Sequence, residues 1–363
     1  MSTIFHKLKV SNVVKETEDT VSVSFEVPQA LASEYEYKQG QYLTLKFDIK
    51  GNEERRAYSM SSSPLEKDLT VSVKRVKKGI ISNHIAENVK IGDSVEVMPP
   101  QGRFYTPLSA DNRKTYYMVA AGSGITPIFS IIKTILEAEP QSFVHLLYGN
   151  RAEEGIIFKE QLGGLLVRYA NQLTIEHILS QPKREKSGGV FSFLSKGTLN
   201  WQGSVGRINE EVMDKWLAEN PCVTKTAEYF ICGPSAMIDT AETIFLGNGA
   251  TSKEIHIEHF SSVTTVQAEN FKNAKLTVTL NGEIITTNVE EGKTILDTLL
   301  ALKKDAPYSC TSGACSTCMA KVTKGSVKMD ACYALDDDEV KAGYVLTCQA
   351  HPASAEVELS YDA

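Results

Sequence analysis

The sequence lacks a long apolar run. No stretch approaches the roughly 18 to 20 consecutive apolar residues that a membrane span requires, and the first ten residues, MSTIFHKLKV, are too polar for the apolar region of a secretory signal. These absences predict a cytoplasmic protein with no membrane span. In that reducing compartment the seven cysteines are not expected to form a disulfide framework, so clustered cysteines are expected to hold a metal or do chemistry.

Positive charge is also scarce. The chain carries 38 Lys and Arg against 45 Asp and Glu, for a formal net charge of -7. Nucleic acids and anionic membrane surfaces require clustered positive charge, so neither is an expected partner. Internal repeats and low-complexity tracts are absent as well. At 363 residues, 42% of them hydrophobic, the chain is long enough for two or three globular domains.

Residues 1–110 show period-two alternation in short runs. TVSVSFEV, YLTLKF, LTVSVKRV and SVEVM each alternate apolar with polar side chains, as half-buried strands do. Leu69, Val71 and Val73 can face one side of such a strand while their neighbours face the other. Several short strands of this kind predict an antiparallel β-barrel domain.

In residues 111–262 the rhythm changes to strand, turn and helix. TYYMVAAG, FVHLLYGNR and EYFICGP are apolar strand-like runs, and ITPIFSIIKTILEAE is a long helical one. This alternation predicts an α/β domain with a doubly wound parallel sheet covered by helices on both faces.

The last quarter of the chain follows a polar linker, predicted at 263–271. Residues 272–363 open with KLTVTLNGEIITTNV, which predicts a hairpin turning at Asn281 and Gly282. TILDTLLALKK then predicts a helix, and GSVKMD and AEVELSYD predict strands. The expected fold of this segment is α+β.

Four cysteines of the last segment have the spacing C-x4-C-x2-C followed, after 29 residues, by a fourth. This is the plant-type [2Fe-2S] ligand pattern. Small residues such as Gly313 and Ala314 allow the backbone to wrap closely and turn its N–H groups towards the sulfurs. The alternative is a structural Zn(Cys)4 site, which usually shows two CxxC pairs where this chain has one. The four predicted ligands are Cys310, Cys315, Cys318 and Cys348.

Two other cysteines, Cys222 and Cys332, lie outside the ligand spacing and are expected to be structural. With the ligand pattern in place, residues 272–363 resemble a plant-type ferredoxin domain. The resemblance implies a one-electron carrier joined to a domain that supplies it with electrons.

RRAYSMSSSP at 55–64 and KKGIISNHI at 77–85 together resemble the flavin domain of the ferredoxin–NADP reductase family, and the resemblance implies FAD. It implies that Arg56 pairs with the flavin pyrophosphate, Tyr58 packs on the isoalloxazine, and Ser59 hydrogen-bonds near the reactive N5. The alternative for this motif alone is a solvated arginine beside a core tyrosine. The flavin-binding strand implied is Arg56, Ala57, Tyr58 and Ser59.

The second flavin motif lies at a predicted helix start. The backbone around Gly79 and Ser82 is expected to hold phosphate, because free N–H groups and the helix dipole at an N-terminus favour anions.

YYMVAAGSGITPIFSII places two glycines, a threonine and a proline between a buried strand and a helix. Gly122 and Gly124 permit close approach of the backbone to a pyrophosphate, while Thr126 is a plausible helix cap and Pro127 suits the first turn. The motif is not the G-x-G-x-x-G of a Rossmann dehydrogenase. It predicts a nicotinamide-binding segment when combined with the strand-end motifs that follow.

The strand-end motifs are YGNR at 148–151 and CGP at 232–234. Both are expected at the carboxyl edge of the doubly wound sheet, where Arg151, Gly233 and Pro234 would contact the coenzyme. In the family resembled, the cysteine of the last motif lies against the nicotinamide C4. Cys232 is therefore expected to orient hydride transfer, and its alternative is a buried cysteine with no role.

HIEHF at 256–260 resembles the edge of this domain that touches the flavin in the family, which makes Glu258 and Phe260 candidates beside it. His256 and His259 are expected to be ordinary histidines. The residues implied at the reaction site are then Ser59, Cys232 and Glu258.

NADPH is the expected coenzyme, with NADH possible, because a 2'-phosphate requires cations near the adenine ribose. Arg151 and the run PKREK, with Lys183, Arg184 and Lys186, supply them unless that run is a solvated face. Residues 187–203 are expected to form an inserted loop with exposed aromatic side chains.

In this order, a flavin barrel, a nicotinamide domain and a ferredoxin domain resemble the reductase components of multicomponent oxygenases. The resemblance implies electron transfer from NAD(P)H through FAD to a [2Fe-2S] cluster, and then to an oxygenase or another acceptor protein. Residues 272–363 hold nine Lys and no Arg against thirteen Asp and Glu, so LDDDEV at 335–340 either docks on a basic acceptor or is a solvated helix start. A different class, a non-enzymatic binding module stapled by zinc, is the remaining alternative.

Overall fold

The computed structural model describes residues 4–185, 198–260 and 273–363. The predicted linker 263–271, Lys186 and the first part of the inserted loop lie outside these residues. Within them, no helix is long and apolar enough to span a membrane.

An antiparallel barrel forms from the first segment, as predicted. Its sheet has the order β4-β3-β6-β1-β2-β5, and an antiparallel bridge between Met60 and Val71 closes it. Leu69, Val71 and Val73 are all buried, so the period-two pattern marks the inward face. The elements are β1 (His6–Thr17), β2 (Thr20–Glu26), β3 (Tyr42–Ile49), β4 (Asn52–Ser59), β5 (Leu69–Lys74), α1 (Ile80–Asn88) and β6 (Ser94–Gln101).

A six-stranded parallel sheet forms from the second segment, again as predicted. The elements are β7 (Lys114–Ala121), α2 (Ile125–Ala138), β8 (Phe143–Asn150), α3 (Lys159–Arg168), β9 (Leu173–Leu179), β10 (Arg184–Glu185), β11 (Thr198–Leu199), β12 (Ser204–Val205), α4 (Glu210–Glu219), β13 (Thr226–Cys232), α5 (Ser235–Gly247) and β14 (Ile255–Glu258).

The strand order of this sheet is β12-β9-β8-β7-β13-β14. Alternate residues of β7 face opposite cores: Tyr116 and Met118 join the apolar cluster that includes α2 and α3, whereas Tyr117 and Val119 join the one that includes α4 and α5. The chain winds outward from β7 to β12 and then returns to β13. The topological switch point therefore lies between β7 and β13, where open α/β sheets bind ligands.

The third segment forms a mixed five-stranded sheet of order β16-β15-β21-β17-β19 with a separate ribbon of β18 and β20. The predicted hairpin is confirmed, because Leu280 pairs with Glu283 and both turn residues, Asn281 and Gly282, have positive φ. The elements are β15 (Ala274–Leu280), β16 (Glu283–Val289), α6 (Ile295–Ala301), β17 (Met319–Lys324), β18 (Val327–Met329), α7 (Asp337–Lys341), β19 (Tyr344–Leu346), β20 (Ala350–Pro352) and β21 (Glu356–Ser360).

Contacts divide the chain into two compact units that do not follow the three segments. One comprises Met1–Phe5, Thr44–Ala57 and His259–Ala363, and the other comprises His6–Leu43 and Tyr58–Glu258. Most of the β3–β4 hairpin thus groups with the cysteine-bearing segment, while the rest of the barrel groups with the parallel sheet.

One expectation about the inserted loop is wrong. Trp201 is not exposed: it is partly buried against the core that includes α2, and its indole N–H donates to the Ser204 carbonyl at 3.0 Å. An indole with a satisfied N–H covers apolar surface better than it faces water.

Candidate functional site

The four predicted ligand cysteines lie together in the first unit. Cys315, Cys318 and Cys348 are buried and Cys310 is half-buried, and all seven cysteines of the chain are free thiols. Hydrogen bonding couples the thiol of Cys310 to that of Cys315, and the thiol of Cys318 to that of Cys348. The sulfurs therefore stand as two pairs.

Two pairs of thiols match the requirement of a [2Fe-2S] cluster, in which each of two irons takes two cysteines. A zinc site needs its ligands around one point. The residues present fit the two-iron cluster.

The cysteine loop also supplies backbone donors. The Ser312 N–H donates to the Cys310 sulfur at 3.4 Å. Donation from the Cys315 thiol, with that from the Ser312 and Ala314 N–H groups, lowers the pKa of Cys310 to about 5 despite its burial. The same hydrogen bond, together with burial, raises the pKa of Cys315, so the opposite shifts of the two thiols reflect how close their sulfurs lie.

Gly313 allows the loop to pack closely. It has a φ of +73°, and a Cβ at this position would lie 2.7 Å from the Ala331 carbonyl oxygen. Its own carbonyl accepts from the N–H groups of Tyr333 and Ala334 at 3.0 and 3.1 Å. A glycine is required here because both the backbone conformation and the space exclude a side chain.

The loop is joined to the distant fourth cysteine through Thr347. Both the N–H and the hydroxyl of Thr347 donate to the Cys318 carbonyl, at 3.1 and 3.0 Å. Cys348 follows directly, so these two bonds set the separation of the second sulfur pair. The cysteine spacing in the sequence predicts the four ligands but not these two hydrogen bonds from Thr347.

In the second unit, three sequence motifs meet at the carboxyl ends of β7, β8 and β13. Cys232 is in register with Ala120 across β13 and β7, and Gly149 with Ala121 across β8 and β7. The Tyr148 hydroxyl donates to the Gly122 carbonyl at 3.0 Å. This edge is the topological switch point, where doubly wound sheets bind nucleotides.

Gly124 is the residue that lets the motifs meet. A Cβ on it would lie 2.0 Å from the Cys232 carbonyl oxygen. Gly233 is similarly close to β7, since its Cβ would lie 3.2 Å from Ala121 and 2.6 Å from the end of Met237. Pro234 then caps the start of α5.

The start of α2 differs in one detail from the prediction. Gly124, not Thr126, occupies the N-cap, because the turn at 122–124 is already helical and α2 continues it. Thr126 lies in the first turn, where its hydroxyl donates to the Ser123 carbonyl at 3.0 Å, and Pro127 lies beside it as expected. No side chain caps this helix, and its first N–H, that of Ile125, donates to a carbonyl of the preceding turn. The N–H groups available to an anion are therefore those at the start of the turn itself.

Cys232 is fully buried at the end of β13. Burial, reinforced by the carboxylate of Glu258 across the strand pair, raises the pKa of its thiol well above the ordinary value. A raised pKa favours the neutral thiol over the thiolate, which is the nucleophilic form. Glu258 ends β14 and is half-buried, while Phe260 is 40% exposed.

Arg151 follows β8 and is exposed. Its carbonyl accepts from the Gln181 N–H at 2.7 Å, so the run that begins at Gln181 lies beside it. Lys183 in that run forms an ion pair with Glu154 at 2.7 Å, and Arg184 lies on β10. Within the described residues, the predicted cations lie at the carboxyl ends of β8 and β9.

The flavin motif lies on β4 and just beyond it. The Arg56 guanidinium donates to the Arg55 carbonyl at 2.6 Å and pairs with Glu54 at 3.5 Å. Ala57 and Tyr58 are half-buried and Ser59 is buried. The serines after Ser59 are tied to the nicotinamide domain, for example by the Ser130 hydroxyl, which donates to the Ser62 carbonyl at 2.5 Å.

The second flavin motif forms a tight turn before α1, with Gly79 at the N-cap. The Ser82 hydroxyl accepts from the Val76 N–H at 3.1 Å, and a Cβ on Gly79 would lie 2.5 Å from that hydroxyl. Asn83, which the sequence interpretation missed, donates its side-chain amide to the carbonyls of Val76 and Gly79. An asparagine four residues after a turn glycine was the available signal.

Comparisons with known proteins agree with the three segments. Family models match residues 7–112 as an oxidoreductase FAD-binding domain, 118–243 as an oxidoreductase NAD-binding domain, and 278–353 as a 2Fe-2S iron–sulfur cluster binding domain.

Full-length relatives extend the match. The chain is 38% identical to one component of the 1,2-phenylacetyl-CoA epoxidase of Escherichia coli K12, with 99% of each chain covered. It is 34% identical to the ferredoxin reductase component of the 3-ketosteroid-9-alpha-monooxygenase of Rhodococcus rhodochrous, covering 98% of this chain and 96% of that one. The fold is that of phthalate dioxygenase reductase, with a TM-score of 0.61, 24% identity and 98% of each chain covered.

The fold and its three sites define an electron-transferring oxidoreductase with FAD-binding, nicotinamide-binding and [2Fe-2S] domains. More particularly, the chain belongs to the family of reductase components that serve multicomponent oxygenases. The predicted fold class and enzyme class are thereby confirmed.

Proposed function

We propose that this protein passes electrons from NADPH, through FAD and a [2Fe-2S] cluster, to the oxygenase component of a phenylacetyl-CoA epoxidase. The observation that carries the proposal is the 38% identity to the Escherichia coli epoxidase component, which extends over 99% of both chains. The motifs RRAYS, AAGSGITP, LLYGNR, FICGP, EHF and GYVLTCQAHP also resemble the reductase of that epoxidase.

The bound cofactors supply the redox chemistry, since a flavin accepts a hydride and an iron–sulfur cluster accepts single electrons. On the nicotinamide side, the N–H groups at the start of the helical turn 122–124 would bind pyrophosphate beside Gly122 and Gly124. Cys232, whose pKa burial raises, would orient the nicotinamide without reacting covalently. No protein general base is needed for hydride transfer.

On the flavin side, Arg56 would pair with the pyrophosphate, and the turn at Gly79 and Ser82 would bind phosphate at the start of α1. Tyr58 would pack on the isoalloxazine, and the Ser59 hydroxyl would donate to the flavin. Ala57 lies between Arg56 and Tyr58 on the same strand, and Glu258 and Phe260 would lie at the flavin edge.

NADPH is proposed over NADH because Arg151 directly follows β8, and Arg184 lies on β10, which follows β9 in the chain. Both cations thus come after strands whose carboxyl ends form the edge where a 2'-phosphate would bind. Lys183 contributes less, since Glu154 already pairs with it. Replacing Arg151 with Ala is expected to raise KM for NADPH about tenfold and to leave KM for NADH within about twofold, because a charged hydrogen bond contributes about 1.5–3 kcal/mol. Steady-state kinetics with each coenzyme measure the difference, and Lys253→Ala, on an exposed loop of the same domain, is the control. Equal changes with both coenzymes would contradict this assignment.

A second acceptor is favoured by one observation. The steroid monooxygenase reductase component is 34% identical over 98% of this chain, only slightly less than the epoxidase component. A hydroxylase of that kind is therefore the alternative partner. All seven cysteines are free, which supports the further proposal of a cytoplasmic location.

The test is anaerobic addition of NADPH to the purified protein, followed by reconstitution with the oxygenase component of the epoxidase and phenylacetyl-CoA. The proposal expects flavin and iron–sulfur absorption that bleaches with NADPH, and NADPH consumption that depends on both additions. Bleaching without coupled consumption would reject the epoxidase partner and leave the reductase chemistry standing. A colourless protein that contains zinc would reject both.

A further inference from the structure

Arg55 immediately precedes the flavin motif on β4, and it is only 6% exposed. Arginine is almost never buried to this extent unless it is paired. Two carboxylates pair with it: the Glu53 Oε1 lies 2.7 Å from its Nε, and the Asp305 Oδ1 lies 3.1 Å from its Nη2. Asp305 belongs to the cysteine-bearing segment, 250 residues further along the chain.

Aromatic rings lie close to the Arg55 guanidinium. Its Cζ lies 4.5 Å from the ring centroid of Tyr308 and 5.0 Å from that of Phe5. A planar cation stacks favourably on such rings, and lysine does not replace arginine in this geometry. Tyr308 is itself buried and stands two residues before the cluster ligand Cys310.

A second contact from the same hairpin reaches the next residue. The Thr44 hydroxyl of β3 hydrogen-bonds the Ser309 hydroxyl at 2.7 Å, and both residues are buried. The hairpin thus contacts residues 305, 308 and 309, which lead directly into Cys310. The hairpin therefore contacts the segment that leads into the cluster loop.

A ring stack lies next to Gly313 of the loop. The rings of His259 and Tyr333 are 4.0 Å apart and nearly parallel, and the Tyr333 N–H donates to the Gly313 carbonyl. His259 stands between the two predicted flavin-edge residues in the sequence. It reaches the cluster loop through Tyr333, whereas the hairpin contacts the start of the loop directly.

A stabilising role alone does not account for Arg55. Its ion pairs add little stability, because the partner carboxylates are exposed, Glu53 to 46% and Asp305 to 86%. The contacts with two carboxylates and two rings instead fix the orientation of the guanidinium. That orientation is set one residue before Arg56, on the strand that carries the predicted flavin contacts.

We propose that Arg55 is a positioning residue for electron transfer, which holds Asp305 and Tyr308, and with them Cys310, against β4. The proposal rests on the proposed electron path from flavin to cluster. The strand that carries the predicted flavin contact Arg56 thereby also holds the entry to the cluster loop. Loss of Arg55 would leave the cluster ligands in place and loosen the hold of β4 on that loop.

The test is Arg55→Met in the holoenzyme, which keeps the length of the side chain and removes its charge and plane. In anaerobic stopped-flow mixing with NADPH, flavin bleaching is expected to stay within about twofold, while cluster reduction slows about tenfold or more, because a displacement near 1 Å costs up to about 10²-fold. The EPR spectrum of the dithionite-reduced cluster is expected to be unchanged. Lys304→Ala, which removes the neighbouring ion pair with Glu283, is the control and is expected to match the unaltered protein.

Thr44→Val keeps the test decisive if Arg55→Met fails to fold. This variant removes only the contact with Ser309 and is expected to slow cluster reduction in the same direction. Hydrogen–deuterium exchange of peptides covering 302–312 is expected to become faster in Thr44→Val and in Arg55→Met, and this readout does not depend on electron transfer. In a double-mutant cycle, Tyr308→Leu is expected to add little to the effect of Arg55→Met.

Unchanged cluster reduction and unchanged exchange in Thr44→Val and Arg55→Met would overturn the proposal. Failure of the proposed function is distinguishable, because NADPH would then not bleach the flavin of the unaltered protein. In that case photochemical reduction of the flavin still measures the flavin-to-cluster rate in each variant.

Discussion

At the scale of single residues, both sites require glycines, because a side chain at Gly124 or Gly313 would clash with neighbouring backbone. Gly124 has an ordinary φ, so its glycine is required by space alone: a methyl group would lie 2.0 Å from the Cys232 carbonyl oxygen. Gly313 is required for both conformation and space. Neither requirement is visible in the sequence, where glycines that merely end a strand look the same.

Replacing Gly124 with Ala is therefore expected to push the turn at 122–124 away from β13. KM for NADPH should rise at least about tenfold, since a shift near 1 Å at a binding turn costs at least that much. Gly164→Ala is the control, because Gly164 lies in α3 with open space around it and alanine should stabilise the helix by about 0.5–1 kcal/mol. Steady-state kinetics with NADPH and thermal unfolding are measured for Gly124→Ala and Gly164→Ala. A KM for NADPH in Gly124→Ala equal to that of the unaltered protein would show that the turn tolerates the displacement.

At the scale of elements, one carboxylate joins three neighbouring strands of the parallel sheet. Glu228 on β13 accepts from Lys114 on β7 at 2.5 Å and from His256 on β14 at 3.3 Å. Burial disfavours its charge, but hydrogen bonds from His256, Lys114 and Thr106 outweigh burial and lower the pKa of Glu228 to about 2. The charge network therefore holds the strand ends opposite the coenzyme site.

The pH dependence follows from that lowered pKa. The pKa of a glutamate in the unfolded chain is about 4.3. The stabilisation from ionised Glu228 is therefore complete above about pH 4.5 and is lost as the pH falls towards 2. Glu228→Gln is expected to lower stability by about 1–3 kcal/mol at pH 7, with a gap that narrows below pH 4.5. Thermal unfolding from pH 7 to pH 3.5 measures the gap. Glu219→Gln, an exposed residue of α4, should change little, and a gap independent of pH would contradict the assignment.

The start of α7 explains part of the acidic run at 335–340. Asp336 is the N-cap of this helix, and its side chain and that of Glu339 form a reciprocal capping box. Two of the acidic side chains therefore have a local role in starting the helix, and the remaining charge complements its dipole. The run needs no docking partner to explain it.

At the scale of the whole molecule, the cysteines separate into a ligand set and others. Cys348→Ser is expected to abolish the iron–sulfur absorption and EPR signal while NADPH still bleaches the flavin, because hydride transfer needs no cluster. Reduction of a one-electron acceptor such as cytochrome c should fall at least about tenfold. Cys332→Ser, half-buried and outside both sulfur pairs, is the control and should retain the cluster. Loss of the EPR signal in Cys332→Ser alone would reassign the ligands.

The division into two units is the property least accessible from the sequence. Period-two and strand–helix patterns predict three segments, and the three family models match three segments. The contacts instead group Thr44–Ala57 with His259–Ala363. Thr44 meets Ser309 at a separation of 265 residues and Arg55 meets Asp305 at 250, and no local pattern encodes such pairs.

Features that depend on neighbouring residues could be predicted from the sequence: the barrel and parallel-sheet patterns, and the hairpin at Asn281 and Gly282. The spacing of the four cysteines likewise predicts a cluster site, because it is a local property of one loop and one strand end. Tertiary structure alone decided how Gly124 approaches Cys232, how Thr347 ties the second sulfur pair, and how Arg55 holds Tyr308. Each of these is a contact between segments far apart in the chain, whose geometry arises only when the sheets pack.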